Sequence, residues 1–186
     1  MSGVMDRLAH LSPERRAALQ ELLRQRTTAR AEPQEIRRRA GEGPAPLSFA
    51  QQRLWFVHRM EPESPAYNLP LALRLRGALD AAALRRALAE VGRRHEALRT
   101  RFPAEDGVPV QVVDPPGREA IGLVELDALG GADRDRELRR LARAEAGRPF
   151  DLAGEPPMRA VVARLGAEEW ALLLTVHHIV SDGWSQ

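Results

Sequence analysis

Cysteine is absent from this chain of 186 residues, and so is lysine. Without cysteine, a disulfide, a thiolate nucleophile and a zinc–thiolate site are all excluded. Without lysine, all 28 cationic side chains are arginines, set against 26 carboxylates. Arginine holds its charge to very high pH, so a nearly balanced chain reaches neutrality late. An isoelectric point near 10.2 therefore coexists with a formal net charge of only +2. Aromatic residues make up only 4%, and arginines such as Arg85 and Arg86 are interspersed with alanine and acidic residues. That pattern offers neither a basic block nor a base-stacking platform, which argues against a nucleic-acid partner. No apolar run approaches the ~18 residues that a membrane span needs, and the N-terminus lacks a signal-peptide core. A cytoplasmic protein with no membrane partner is the expectation.

What the chain does contain is a globular composition, 44% hydrophobic and 29% charged. The first segment, "LSPERRAALQELLRQR", predicts a short helix capped by Ser12, with Pro13 in its first turn and Leu19, Leu22 and Leu23 as its apolar stripe. A polar stretch rich in proline and glycine follows and reads as a linker ending near Pro46. Residues 1–46 are thus a helical extension with a linker, and residues 47–186 the domain proper. In "LSFAQQRLWFVHRM", Ser48 and Gln51 have the spacing of a capping box, so a helix should begin there. "LPLALRLRG" alternates, with Leu69, Leu71, Leu73 and Leu75 on one face, as a strand does. From Asp80, residues Leu84, Leu88, Val91 and His95 recur at helical spacing. "RTRFPAEDGVPVQVV" reads as a hairpin turning at Asp106-Gly107, "IGLVEL" as a strand, and "DRDRELRRLARAEA" as a second amphipathic helix. "MRAVVARLGAEEWALLLTVHH" gives two strands about a turn near Gly166, the last apolar on both faces like a central strand. This alternation predicts an α/β fold, a mixed sheet with helices packed on it.

The chemistry-bearing residues gather near the end, in "TVHHIVSDGWS". His177 and His178 are consecutive on a strand, so their side chains leave on opposite faces. One should address the reaction and the other support the structure. Gly183 permits a tight turn after Asp182, and a buried carboxylate there would need a cationic partner from "RHEALRTRF". A metal site built from His177, His178 and Asp182 is disfavoured by the same alternation. "HEALR" lacks the second histidine of a zinc-protease helix. The spacing from His177 to Asp182 also fits the His-x4-Asp pattern of glycerolipid acyltransferases, which usually sit at membranes.

"HHIVSDGWS" resembles the HHxxxDG signature of condensation domains of nonribosomal peptide synthetases. "SFAQQRLWF" and "RHEALRTRF" are similar to two earlier motifs of that family, in the family's order, and "YNLP" and "PFDL" to two further stretches. The resemblance spans roughly Pro46 to Gln186. It implies one lobe, the N-terminal one, of a chloramphenicol acetyltransferase-like fold, with the C-terminal lobe absent from this chain. It further implies transfer of an acyl or peptidyl group from one carrier protein's phosphopantetheine thioester to an aminoacyl amine on another. No cofactor is bound by the chain itself; the phosphopantetheine arms belong to the donor and acceptor carrier proteins. By the resemblance His178 is the catalytic residue facing the amine, and His177, Asp182, Gly183 and Arg99 support the site, with Asp182 paired to Arg99. "YNLP" and "DGWS" are similar to elongation domains that accept L-configured donors. The leading helix is a candidate docking element for a synthetase protein acting upstream. Two other readings are a short protein that binds carrier proteins without catalysis, and an acyltransferase of the same motif that uses acyl-CoA.

Overall fold

The computed structural model describes residues 43–118, 120–183 and Ser185. By its contacts the chain divides into two units, 1–41 and 42–186; the description below concerns the second. The helix and linker expected before Gly43 lie outside the described residues.

Helices begin where local chemistry predicts. Helix α1 (Phe49–Met60) starts at a complete capping box: the Ser48 hydroxyl accepts from the Gln51 N–H at 3.3 Å and the Gln51 amide oxygen accepts from the Ser48 N–H at 2.9 Å. Helix α2 (Ala81–Arg94) starts where the Asp80 carboxylate accepts from the Ala83 N–H at 2.8 Å. Its apolar face ends at His95, which is the C-cap residue rather than a member of the helix.

Strand β2 (Asn68–Arg76) precedes α2; β6 (Ala120–Glu125), α3 (Gly131–Gly147), β7 (Met158–Gly166) and β8 (Glu169–His177) complete the main layer. The sheet runs β2-β8-β7-β6, antiparallel except for the β6–β7 pair. The parallel pair is joined through α3, as a parallel pair needs a long crossover. Central β8 explains the doubly apolar run: Trp170 and Leu172 join Leu84 and Leu88 of α2 on one face, while Ala171 meets Ala163, Leu165 and Leu138 of α3 on the other. Along β2, Leu69, Leu71, Leu73 and Leu75 stand opposite Val176, Leu174, Leu172 and Trp170, so the leucine face lies on the α2 side. Because β2 is the edge strand, that face is only partly covered; Leu71 and Leu73 remain exposed.

A smaller sheet holds the expected hairpin. Strand β5 (Val108–Val113) pairs with β1 (Ala45–Pro46), β3 (Thr100–Arg101) and β4 (Ala104–Glu105). Asp106 and Gly107 take φ values of 50° and 81°, the left-handed pair a tight hairpin turn requires. A short 3-10 helix, Glu96–Arg99, leads into β3. No helix among the described residues is long and apolar enough to cross a membrane.

Candidate functional site

Motifs far apart in sequence meet in one core. Leu47, Phe102, Phe150, Leu152 and Ile179 form a buried cluster, with Leu54, Trp55 and Val180 packed against it. Hydrogen bonds stitch the same segments together: the Phe102 N–H donates to the Leu152 carbonyl at 2.7 Å, and Trp55 Nε1–H to the Phe102 carbonyl at 3.1 Å. Helix α1, the "RTRF" strand, the "PFDL" loop and the residues after the histidine pair are therefore joined in one packed core.

That core fixes the histidines. His177 is buried, 4% exposed, at the last position of β8. Its N–H donates to the Pro157 carbonyl at 2.9 Å, and its Nδ1 accepts from the Ile179 N–H at 3.1 Å. The rings of Phe150, Tyr67 and His58 surround it at centroid distances of 5.8, 6.3 and 6.4 Å. Burial in this setting, with the nearby His58, His178 and Arg159 charges adding, pushes its pKa from 6.5 down to about 4. A neutral ring whose Nδ1 accepts carries its proton on Nε2. His177 is thus an internal acceptor that holds the turn after the strand.

His178 leaves on the other side and is exposed. Its N–H donates to the Tyr67 carbonyl at 2.8 Å, and its ring meets the Tyr67 ring edge-on at 6.5 Å. Tyr67 consequently lies beside both histidines. The expectation that both histidines lie on the strand needs one correction: β8 ends at His177 and His178 opens the turn that follows, so the two rings part where strand gives way to turn.

Two of the supporting residues sit differently from the expectation. Asp182 is exposed, and it forms a reciprocal cap with Ser185: its Oδ1 accepts from the Ser185 N–H at 3.1 Å, while its own N–H donates to the Ser185 hydroxyl at 3.2 Å. The structure does not bring Arg99 to it. Arg99 is mostly buried and faces Glu96 at 3.4 Å and the Asp114 carbonyl, while its Nε–H is buried without an acceptor among the described residues. The physical reason is local: the 3-10 helix aims Arg99 back toward the exit of β5. Gly183 is exposed, and a Cβ built on it meets nothing within 4 Å. Nothing in the described fold itself demands glycine there.

Sequence reasoning missed several residues behind the site. Arg159, buried at 3% exposure, lays its guanidinium 3.9 Å from the Phe150 ring centroid and donates to the Glu145 carboxylate at 3.2 Å and the Glu145 carbonyl at 2.7 Å. Burial lowers its pKa first, with the Arg148 charge adding and Glu145 and Glu155 opposing. A charge inside the apolar strand "MRAVVARLG" was the available signal. Asp114, also buried, receives both arms of Arg101 at 2.7 and 2.8 Å and Arg118 at 2.8 Å. Arg101, foremost as hydrogen-bond donor, holds the Asp114 pKa below the usual carboxylate range. Half-buried His58 has its pKa lowered, by burial above all; Asp151 opposes and Arg59 adds. Among the described residues no three His, Cys, Asp or Glu side chains gather as a metal site.

On the α2 side of the sheet, beside the histidine turn, lies a mostly apolar cleft of about 600 Å³. Leu69, Leu88, Val91, Leu174, Val180 and Ser181 are among its walls. His178 stands outside that lining.

Fold and histidine pair define an α/β domain of the chloramphenicol acetyltransferase-like class. Solved structures agree. The starter condensation domain of rhizomide synthetase RzmA superposes with a TM-score of 0.69 at 25% identity, covering 76% of this chain and 35% of that one. The first condensation domain of the calcium-dependent antibiotic synthetase, solved with a substrate analogue, gives 0.66 at 28% identity, covering 76% and 34%. A sequence model of the condensation domain matches residues 41–186. The chain belongs to the condensation-domain family of nonribosomal peptide synthetases. It is 40% identical over 185 residues to phosphinothricin tripeptide synthetase PhsC of Streptomyces viridochromogenes, a match that covers 100% of this chain and 17% of that protein. With the isonitrile lipopeptide synthase of Mycobacterium tuberculosis it shares 48% over 149 residues, 78% of this chain and 6% of that protein. The chain therefore spans under a fifth of the length of these curated relatives, and about a third of the solved domains.

Proposed function

We propose that this chain furnishes the histidine-bearing wall of a condensation site that makes an amide bond between two carrier-bound substrates. The observation that carries the reading is the division of labour between adjacent histidines: His177 is buried with its Nδ1 engaged, while His178 is exposed on a backbone held by Tyr67. An exposed imidazole in the turn just past the strand, its N–H held by the Tyr67 carbonyl, can meet a substrate amine without first breaking an internal contact.

The chemistry needs no enzyme nucleophile. The amine nitrogen of the aminoacyl group attacks the thioester carbonyl carbon; the C–N bond forms, the C–S bond breaks, and the proton lost by nitrogen ends on the departing phosphopantetheine thiol. His178 orients the amine or relays that proton. General-base help is worth ~10²–10⁴-fold, and positioning alone can match it. In this reading a second lobe supplies the opposite wall of the site. Donor and acceptor carrier proteins are the partners this reading requires. Asp182 supports the site by capping the turn that follows His178, through Ser185.

Reconstitution in the complete domain tests the proposal. Two carrier proteins, one loaded with an acyl thioester and the other with an aminoacyl thioester, should yield an amide on the acceptor carrier, read by mass spectrometry of the intact protein. Transfer only from free acyl-CoA to small alcohols would refute it in favour of another acyltransferase chemistry.

A further inference from the structure

The amide of Asn68 makes two bonds unusual for the first residue of an edge strand. Its Nδ2 donates to the carbonyls of Ala146 at 2.8 Å and Arg148 at 2.9 Å, at the C-terminal end of α3. Those carbonyls belong to the group at a helix end that has no intrahelical donor. Arg159 Nη2 donates to the Arg148 carbonyl too, and to that of Glu145 at 2.7 Å, so two strands clasp the same helix end. In the antiparallel register Asn68 stands opposite His177. The residue before it, Tyr67, supplies the carbonyl that accepts the His178 N–H at 2.8 Å.

We infer that Asn68 is a positioning residue for His178. Its side chain anchors the Tyr67–Asn68 backbone to the end of α3, and that backbone in turn anchors His178. Asparagine is a poor strand former, which leaves the two donor contacts as the physical reason for this side chain here. Chain ends of strands fray readily. Without the clasp, the Tyr67 carbonyl and the His178 backbone would share that freedom, and misplacement of a reacting group by about 1 Å can cost on the order of 10²-fold in rate.

This inference rests on the amide-forming role proposed for His178, and the test separates the two. In the complete synthetase, Asn68→Asp keeps the shape of the side chain and removes both donors. It is expected to lower kcat for amide formation by about 10- to 100-fold with KM changed little. In a His178→Ala background the same substitution is expected to cause no further loss, because a residue acting through another is silent once that other is gone. Equal slowing in both backgrounds would overturn the positioning role in favour of a general structural one, and so would an unchanged kcat for Asn68→Asp. An unchanged rate for His178→Ala alone would overturn the functional reading and this inference with it. Should Asn68→Asp fail to fold, Asn68→Ser adds no charge and is too short to reach either carbonyl, so it is expected to lower kcat to the same extent; a wild-type kcat there would refute the inference.

Discussion

Replacing His177 by asparagine isolates the energetic consequence of burying one histidine. The Asn side-chain oxygen lies at about the distance from the backbone of the imidazole Nδ1, so the bond from the Ile179 N–H is kept while the titration is removed. The folded-state pKa of His177 is depressed from 6.5 to about 4. The unfolded chain therefore binds a proton that the folded chain refuses between those values. Stability from this site is complete above the unfolded pKa of 6.5 and is lost as pH falls toward about 4. Over the full window that amounts to about 3 kcal/mol, of which about 2 kcal/mol is gone on moving from about pH 7.5 to about pH 5. Urea unfolding of the chain followed by tryptophan fluorescence at those two pH values measures it. Wild type should lose about 2 kcal/mol more than His177→Asn across that interval. His58 is depressed in the same direction but titrates in both proteins and drops out of the difference. Identical pH dependence in the two proteins would refute the reasoning, since it would mean that His177 titrates in the folded state as it does in the unfolded one.

Two further outcomes follow from the packing. Asp114→Asn leaves the partly exposed Arg101 and Arg118 facing a neutral group, and should cost about 1–2 kcal/mol in chemical unfolding; a midpoint unchanged from wild type would contradict the role given to that network. Because the Asp114 pKa is depressed, its contribution should be present above the ordinary carboxylate range and fade as pH falls through its folded value. Ser48→Ala breaks one half of the α1 capping box and should lower stability by about 1 kcal/mol, with Ser48→Asp restoring most of it.

Much of the fold was legible because its signals are local. The Ser48 box, the helical spacing that starts at Asp80, the Asp106-Gly107 turn and the doubly apolar last strand each depend on neighbours within a few residues. Strand order was not legible: β6 beside β7 and β2 beside β8 are pairings across long stretches of chain, set by tertiary packing. At the site, the divergence of His177 and His178 follows from their consecutive placement at a strand end, although β8 stops at His177 and His178 lies in the turn after it. Which ring is buried does not, because it depends on Phe150, Tyr67 and His58 arriving from three other segments. Asp182 shows the limit most clearly. The sequence suggests a buried carboxylate needing a cation, whereas the exposed Asp182 exchanges hydrogen bonds with Ser185. Arg159 offered only the oddity of a charge in an apolar strand and Asn68 no periodic signal, since each is explained by the helix end it reaches.

The central claim is that the exposed imidazole does the work and the buried one only holds it. Single-turnover amide formation in the complete synthetase carrying His178→Ala tests this most directly, with the unfolding midpoint measured alongside. The account predicts a loss of about 10²-fold or more with the midpoint unchanged. A His178→Ala protein that condenses its carrier-bound substrates at the wild-type rate would contradict it.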